Sequence, residues 1–89
     1  MNYIEFRDAW WALGEEDHEH AAMIRLANTS DNLAFLESVG MQEGDHFYED
    51  QASGEYWFSI EASGMLYDSY EPLIEKFLGD RCIEWTVEG

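Results

Sequence analysis

Residues 55–62 read EYWFSIEA, and apolar and polar side chains alternate along this stretch. Tyr56, Phe58 and Ile60 fall on one face. The opposite face holds the remaining side chains, Glu55, Trp57, Ser59 and Glu61. An alternation with period two is typical of a β-strand with one face on a core and the other in solvent. The stretch therefore predicts a half-buried strand within a sheet.

Two further stretches predict strands. Residues 81–88 alternate, with Ile83, Trp85 and Val87 on the apolar face. The opposing face of that strand holds Cys82, Glu84, Thr86 and Glu88. Residues 46–49, HFYE, predict another strand, and residues 51–54 predict the turn that follows it.

Helical spacing marks the amino-terminal half of the chain. The first predicted helix presents one apolar face, made of Tyr3, Phe6, Trp10 and Leu13. Gly14 ends it. The acids of residues 15–17 suit the start of a second helix, which continues through residues 21–27 and ends near residues 28–29.

Two more helices are predicted further along. Ser30 or Asp31 caps the third, and Gly40 closes it. Its apolar positions are Leu33, Phe35, Leu36 and Val39. The fourth begins at a capping arrangement in residues 68–71, carries Pro72 in its first turn and stops at Gly79. The side chains it is expected to bury are Leu73, Ile74, Phe77 and Leu78.

The predicted order of elements is helix, helix, helix, strand, strand, helix, strand. Residues 1–89 are short enough to form one domain and show no internal repeat or linker. We therefore expect a single α+β domain whose helical amino-terminal half packs on a small antiparallel sheet.

The charge balance is the strongest indication of function. Twenty Asp and Glu residues face four Lys and Arg residues, which gives a net charge of −16. An acidic disordered segment is poor in aromatic residues, yet this chain is 46% hydrophobic and 16% aromatic. The composition predicts a folded domain with an anionic surface, suited to a positively charged partner. Nucleic acid and anionic membranes are disfavoured as direct ligands, because their phosphates would be repelled.

Several features restrict the location of the chain. It has no apolar run long enough to span a membrane. Its first residues, MNYIEFRDAWW, lack the basic and apolar regions of a secretory signal. The lone Cys82 allows no internal disulfide. We expect a reducing, cytoplasmic compartment, that of a bacterial host if the protein is encoded by a phage.

Catalytic and metal-binding motifs are missing from the sequence. No nucleophile elbow, phosphate-binding glycine loop or dinucleotide fingerprint occurs. Residues 15–20, EEDHEH, are rich in metal-ligand types, and His18 and His20 would share a face if the stretch were extended. An acidic, solvated helix start explains them more simply. We expect neither an enzyme nor a metal or other cofactor.

The spacing of the acids suggests a partner-binding surface. Residues two apart on a strand are separated by about 6–7 Å, and residues i and i+4 of a helix by about 6 Å. Both spacings resemble that of successive phosphates on a DNA strand. The acids expected to bind the partner are Glu43, Asp45, Glu49, Asp50, Glu55, Glu61, Asp68, Glu71 and Glu75. Trp57 lies off the core face and is a candidate aromatic anchor among them.

In size, acidity and lack of catalytic motifs the chain resembles the small phage-encoded proteins that mimic DNA, which include antirestriction and anti-CRISPR proteins. The resemblance rests on overall composition. It implies an inhibitor that occupies the basic groove of a nucleic-acid-binding defence complex and so evades host defence by a protein–protein interaction.

Two alternatives are open. An immunity protein or antitoxin that neutralises a cationic nuclease toxin is also small and acidic. A housekeeping domain of a halophile is acidic for solubility at high salt, and it should unfold in dilute buffer. The sequence leaves the target and the oligomeric state undetermined.

Overall fold

The computed structural model describes residues 1–14, 19–63 and 67–88, and within these ranges it shows helices on a four-stranded antiparallel sheet. The helices are α1 (Tyr3–Leu13), α2 (Ser30–Ser38) and α3 (Tyr67–Leu78). The strands are β1 (His20–Ala27), β2 (Tyr48–Asp50), β3 (Glu55–Ala62) and β4 (Cys82–Glu88), the last preceded by a 3₁₀ turn at Gly79–Arg81. The predicted α+β class is confirmed.

The order of strands in the sheet is β2-β3-β1-β4, and every pairing is antiparallel. Strand β1 lies in the interior, where Ile24 is opposite Phe58 of β3 on one side and opposite Trp85 of β4 on the other. Strands β2 and β4 form the two edges. The sheet therefore joins the first third of the chain to its last residues.

The second predicted helix is wrong over the described residues, because residues 20–27 form strand β1. The predicted start of that helix, residues 15–17, lies outside the described residues. The stretch HAAMIRLA is rich in good helix formers, so local propensity favoured a helix. Its alternate residues Ala22, Ile24 and Leu26 are nevertheless fully buried. Pairing with a strand on each side outweighs the weak local preference.

Strand β3 agrees with its prediction. It spans residues 55–62, and Tyr56, Phe58 and Ile60 are buried as expected. Strand β2 is shifted from the predicted residues 46–49 to Tyr48–Asp50.

The start of α1 is a capping box that sequence reasoning missed. The Asn2 side chain accepts a hydrogen bond from the Glu5 N–H at 2.8 Å, and the Glu5 carboxylate accepts from the Asn2 N–H at 2.9 Å. Phe6 and Trp10 of the predicted apolar face are fully buried. Leu13 is 42% exposed, so its assignment to the core was wrong; it lies in the last turn, at the margin of the core.

The other two helices begin elsewhere than predicted. Thr29, rather than Ser30 or Asp31, caps α2 by accepting a hydrogen bond from the Asn32 N–H at 3.1 Å. Helix α3 already begins at Tyr67, which places Pro72 inside the helix instead of in its first turn.

A β-bulge changes the predicted faces of β4. Leu26 is opposite Cys82 and the preceding Arg25 is opposite Glu84, so Ile83 is an extra residue in the pairing. Cys82 consequently packs against the core, whereas Ile83 is 52% exposed. The predicted face was right for Trp85, which follows the bulge, and wrong for Cys82 and Ile83.

All three helices pack on one face of the sheet. Trp10 of α1 stacks on Tyr70 of α3 with ring centroids 3.9 Å apart, and Phe6 stacks on Phe77 at 4.4 Å. The Trp10 indole N–H donates to the Glu61 carbonyl at 2.9 Å, which ties α1 to β3. The stacked rings join the inward side chains of β1 and β3 in one core. The opposite face of the sheet carries no helix among the described residues.

Replacing Tyr70 with Phe should lower the free energy of unfolding by about 1–3 kcal/mol. The ring stack is retained, but the Tyr70 oxygen that accepts the Ser63 N–H at 2.9 Å in the core is removed. Urea denaturation measures the change. Tyr48→Phe, at a residue that is 40% exposed, is the control and should change little. Equal effects of the two substitutions would contradict the assigned core.

The bulge is tested by comparing two isoleucines. Ile24→Val should cost about 0.5–1.5 kcal/mol, because Ile24 is fully buried. Ile83→Val should stay within about 0.5 kcal/mol, as is usual for surface sites. If Ile83→Val is as costly as Ile24→Val in urea denaturation, Ile83 faces the core and the bulge is misplaced.

Candidate partner-binding surface

The side of the sheet that no described helix covers presents a defined set of side chains. Since inward residues of β1 and β3 are buried at alternate positions, the intervening residues point away from the helices. We call this surface the open face; its residues are Ala21, Met23, Arg25, Ala27, Tyr48, Asp50, Glu55, Trp57, Ser59, Glu61, Glu84 and Thr86.

An aromatic pair lies on the open face near the β2 edge. Tyr48 is opposite Trp57 in the register, and their ring centroids are 4.9 Å apart with planes inclined by 33°. Tyr48 is exposed and Trp57 is half-buried. The predicted aromatic anchor therefore has a tyrosine neighbour that sequence reasoning did not pair with it.

Arg25 is the cation of the open face. It lies on β1, opposite Trp57 on one side and Glu84 on the other. One guanidinium nitrogen is 3.5 Å from the Asp50 carboxylate and 3.5 Å from the Glu55 carboxylate. Arg25 thus links the interior strand to β2 and β3, although contacts of this length are weak.

The Asp50 carboxylate accepts hydrogen bonds within the turn between β2 and β3. Its pKa is lowered, first by a hydrogen bond from the Ser53 side chain and next by the Ala52 N–H, which donates to it at 3.0 Å. Arg25 makes a smaller contribution. A carboxylate that is engaged in this way is less available to a partner.

The open-face acids do not form a continuous strip along β3. Glu55 and Glu61 are six residues apart, which is about 20 Å along a strand. Between them, Ser59 lies side by side with Met23 and Thr86 of the neighbouring strands, and none of these three residues is charged. The phosphate-like spacing expected from the sequence is absent from this strand.

A second group of predicted acids surrounds the β2 edge. Burial raises the pKa of Tyr56, and the nearby carboxylates of Glu43 and Glu49 raise it further, together with that of Glu37. Glu49 also accepts a hydrogen bond from the Asn28 side chain. Glu37 was missed because it belongs to α2, and only tertiary packing brings it here. Asp45 is exposed in the preceding turn.

A third group lies on α3, in the helical layer. Asp68, Glu71 and Glu75 are exposed on one side of this helix. Glu71 and Glu75 line a shallow groove against the β4 edge, next to Ile83 and other residues of that strand. The ten predicted residues are thus divided among three surfaces, and Asp50, Glu55, Trp57 and Glu61 are the ones that share the open face.

The arginines form ion pairs with carboxylates of the protein itself. Besides Arg25, Arg7 is 3.1 Å from the Asp8 carboxylate and covers the Trp11 ring at 4.6 Å. Arg81 pairs with Asp31 and covers the Phe35 ring at 4.5 Å. The excess of carboxylates therefore faces solvent with little compensating positive charge.

Two residues with side chains that could catalyse or bind a metal, His46 and Cys82, have defined surroundings in the structure. His46 Nδ1 accepts a hydrogen bond from the Gln42 N–H at 2.9 Å. Burial raises the pKa of the Cys82 thiol, which disfavours a reactive thiolate. Across residues 1–14, 19–63 and 67–88, no group of three or more His, Cys, Asp or Glu side chains is arranged to hold a metal ion. His18 lies outside these ranges.

None of the helices in the described part of the chain is long and apolar enough to cross a membrane. Comparisons with family models, with curated proteins and with solved structures found no match to this chain. The fold and the surface define it as a small acidic α+β protein in which the described helices leave one face of the sheet open.

The surface charge should make stability depend on salt. The Debye length falls from about 30 Å at 0.01 M salt to about 3 Å at 1 M, which weakens repulsion between the acids. We expect the protein to be folded at about 0.01 M salt and its free energy of unfolding in urea to rise with NaCl. The double variant Glu71→Gln and Glu75→Gln, with two exposed charges removed, should respond less. A chain that is unfolded in dilute buffer would instead support the halophile alternative.

Proposed function

We propose that this protein is a non-catalytic inhibitor that binds the basic groove of a nucleic-acid-binding defence complex of the antirestriction or anti-CRISPR type. The observation that carries the proposal is the net charge of −16 on a folded chain whose arginines are paired with its own carboxylates. Such a surface favours a partner of strongly positive potential.

The proposed mechanism needs no chemistry. The carboxylates attract the basic groove over a long distance and accelerate association. Once bound, the protein excludes DNA or guide RNA by occupying the same surface. Because the partner is expected in the bacterial cytoplasm, we propose the same compartment for this protein.

An immunity protein or antitoxin against a cationic nuclease is the second candidate. The discontinuous placement of the acids on the open face favours it, because a toxin surface does not require phosphate-like spacing. The aromatic pair of Tyr48 and Trp57 also suits an interface with a central anchor. A toxin gene next to the gene of this protein would distinguish this candidate.

The immobilised protein should capture a basic nucleic-acid-binding protein from bacterial lysate at low salt. The purified partner should then lose labelled DNA or RNA when this protein is added at a stoichiometric ratio, as measured by fluorescence anisotropy. The association rate should fall steeply as NaCl increases, because screening removes the steering. Simultaneous binding of nucleic acid and this protein, or an association rate that is independent of salt, would refute the proposal.

A further inference from the structure

The open face is the side of the sheet that no helix covers in the described part of the chain. We propose that it receives the partner, and that the occupant is a protein surface presenting arginine side chains to the Tyr48–Trp57 pair and to the neighbouring carboxylates. This inference rests on the proposed function and assigns the interface to one of three acidic surfaces.

The chemistry of the pair favours a guanidinium group. The faces of tyrosine and tryptophan rings attract cations, and arginine also stacks on them through its planar group. Among the described residues, the cation–π contacts involve Trp11 and Phe35, and neither Tyr48 nor Trp57 is covered in this way. Arg25, which is opposite Trp57, is directed to Asp50 and Glu55 instead.

Carboxylates lie on the same face as the rings. Glu55 precedes Trp57 by one outward position along β3. Glu84 ends the row that contains Tyr48, Trp57 and Arg25, and Arg25 lies between Trp57 and Glu84 in that row. Glu61 lies further along β3 on the same face. A protein surface with arginine on the rings would therefore meet Glu55, Glu61 and Glu84 on the same face, and the sheet hydrogen bonds fix the backbone positions of these residues before binding.

Charge argues against nucleic acid on this face. Exposed aromatic rings on a four-stranded sheet stack bases in some RNA-binding domains. Here the phosphates would meet Glu55, Glu61 and Glu84, with Arg25 as the cation of the face. Proteins that bind single strands by stacking combine it with a positively charged groove, which this surface does not provide.

Area and charge also argue against a second copy of this chain. Four strands at about 4.8 Å spacing and eight residues at about 3.3 Å rise give a face of about 14 Å by 23 Å. Two such faces bury about 600 Å², well below the roughly 1,200 Å² of a stable interface. Pairing two open faces would in addition bring their carboxylates together. A basic groove can instead extend past the sheet edges, toward Glu49 or toward Glu71.

Two double variants with equal changes of net charge test the proposal. Glu61→Lys with Glu84→Lys alters the open face, whereas Glu71→Lys with Glu75→Lys alters α3. Each replaces two exposed acids, so the long-range field changes equally. The probe is a ten-residue arginine peptide, titrated into the protein by calorimetry at low salt, and circular dichroism confirms that each variant is folded.

The open-face variant should bind the peptide at least about tenfold more weakly, and the α3 variant should lose less than about threefold. Trp57→Leu should weaken binding of the arginine peptide more than that of a ten-residue lysine peptide, because arginine stacks on the ring. In ¹⁵N-labelled protein, amide signals of Trp57 and Ser59 should shift on titration, and those of α3 should not.

Equal losses for the two double variants, or a larger loss for the α3 variant, would overturn the assignment of the interface. Two results would overturn the choice of occupant. One is binding of a single-stranded RNA oligonucleotide that shifts the amide signal of Trp57. The other is dimerisation, seen by analytical ultracentrifugation, that Trp57→Leu abolishes. The proposed function is tested separately by capture and competition. If the protein inhibits the partner but binds it through α3, only this inference is refuted. If the arginine peptide maps to the open face but the protein does not displace nucleic acid from any partner, only the proposed function is refuted.

Discussion

The pairing of β1 with a strand on each side is the interaction on which the rest of the structure depends. Residues 20–27 hydrogen-bond to β3 along one edge and to β4 along the other. Without β1, the hairpin of β2 and β3 would be separated from β4, and a two-stranded hairpin alone is marginal in water. The inward residues Ala22, Ile24 and Leu26 then join the core that the helices cover.

The acidic surface places a constraint on this small core. Like charges oppose compaction, and a chain of 89 residues buries a limited fraction of its surface. Stacked aromatic rings from α1 and α3 supply large buried areas in compensation, as for Trp10 on Tyr70. Arg25 and Arg81 pair with carboxylates from other elements, and Arg25 does so across three strands.

The same architecture separates the acids into distinct surfaces. The described helices lie on one side of the sheet and leave the open face as a platform, with an aromatic pair and Arg25 among its carboxylates. The acids on α3 and those near Tyr56 lie beyond its two edges. A partner with a wide basic groove would meet the platform first and the flanking acids around it, which suits a central anchor with a charged rim.

The sequence by itself determined the α+β class, strand β3 and the excess of negative charge, because alternation and charge are local properties that can be read residue by residue. Residues 20–27 could not be assigned in this way, since their good helix formers become a strand only when β3 and β4 are alongside. The exposure of Ile83 likewise depends on a bulge opposite Arg25 and Leu26, which no pattern within β4 reveals. Tertiary structure also decided that Tyr48 and Arg25 lie beside Trp57, because residues distant in the chain meet only when the sheet forms. It likewise decided that Asp68, Glu71 and Glu75 do not share the surface of Trp57.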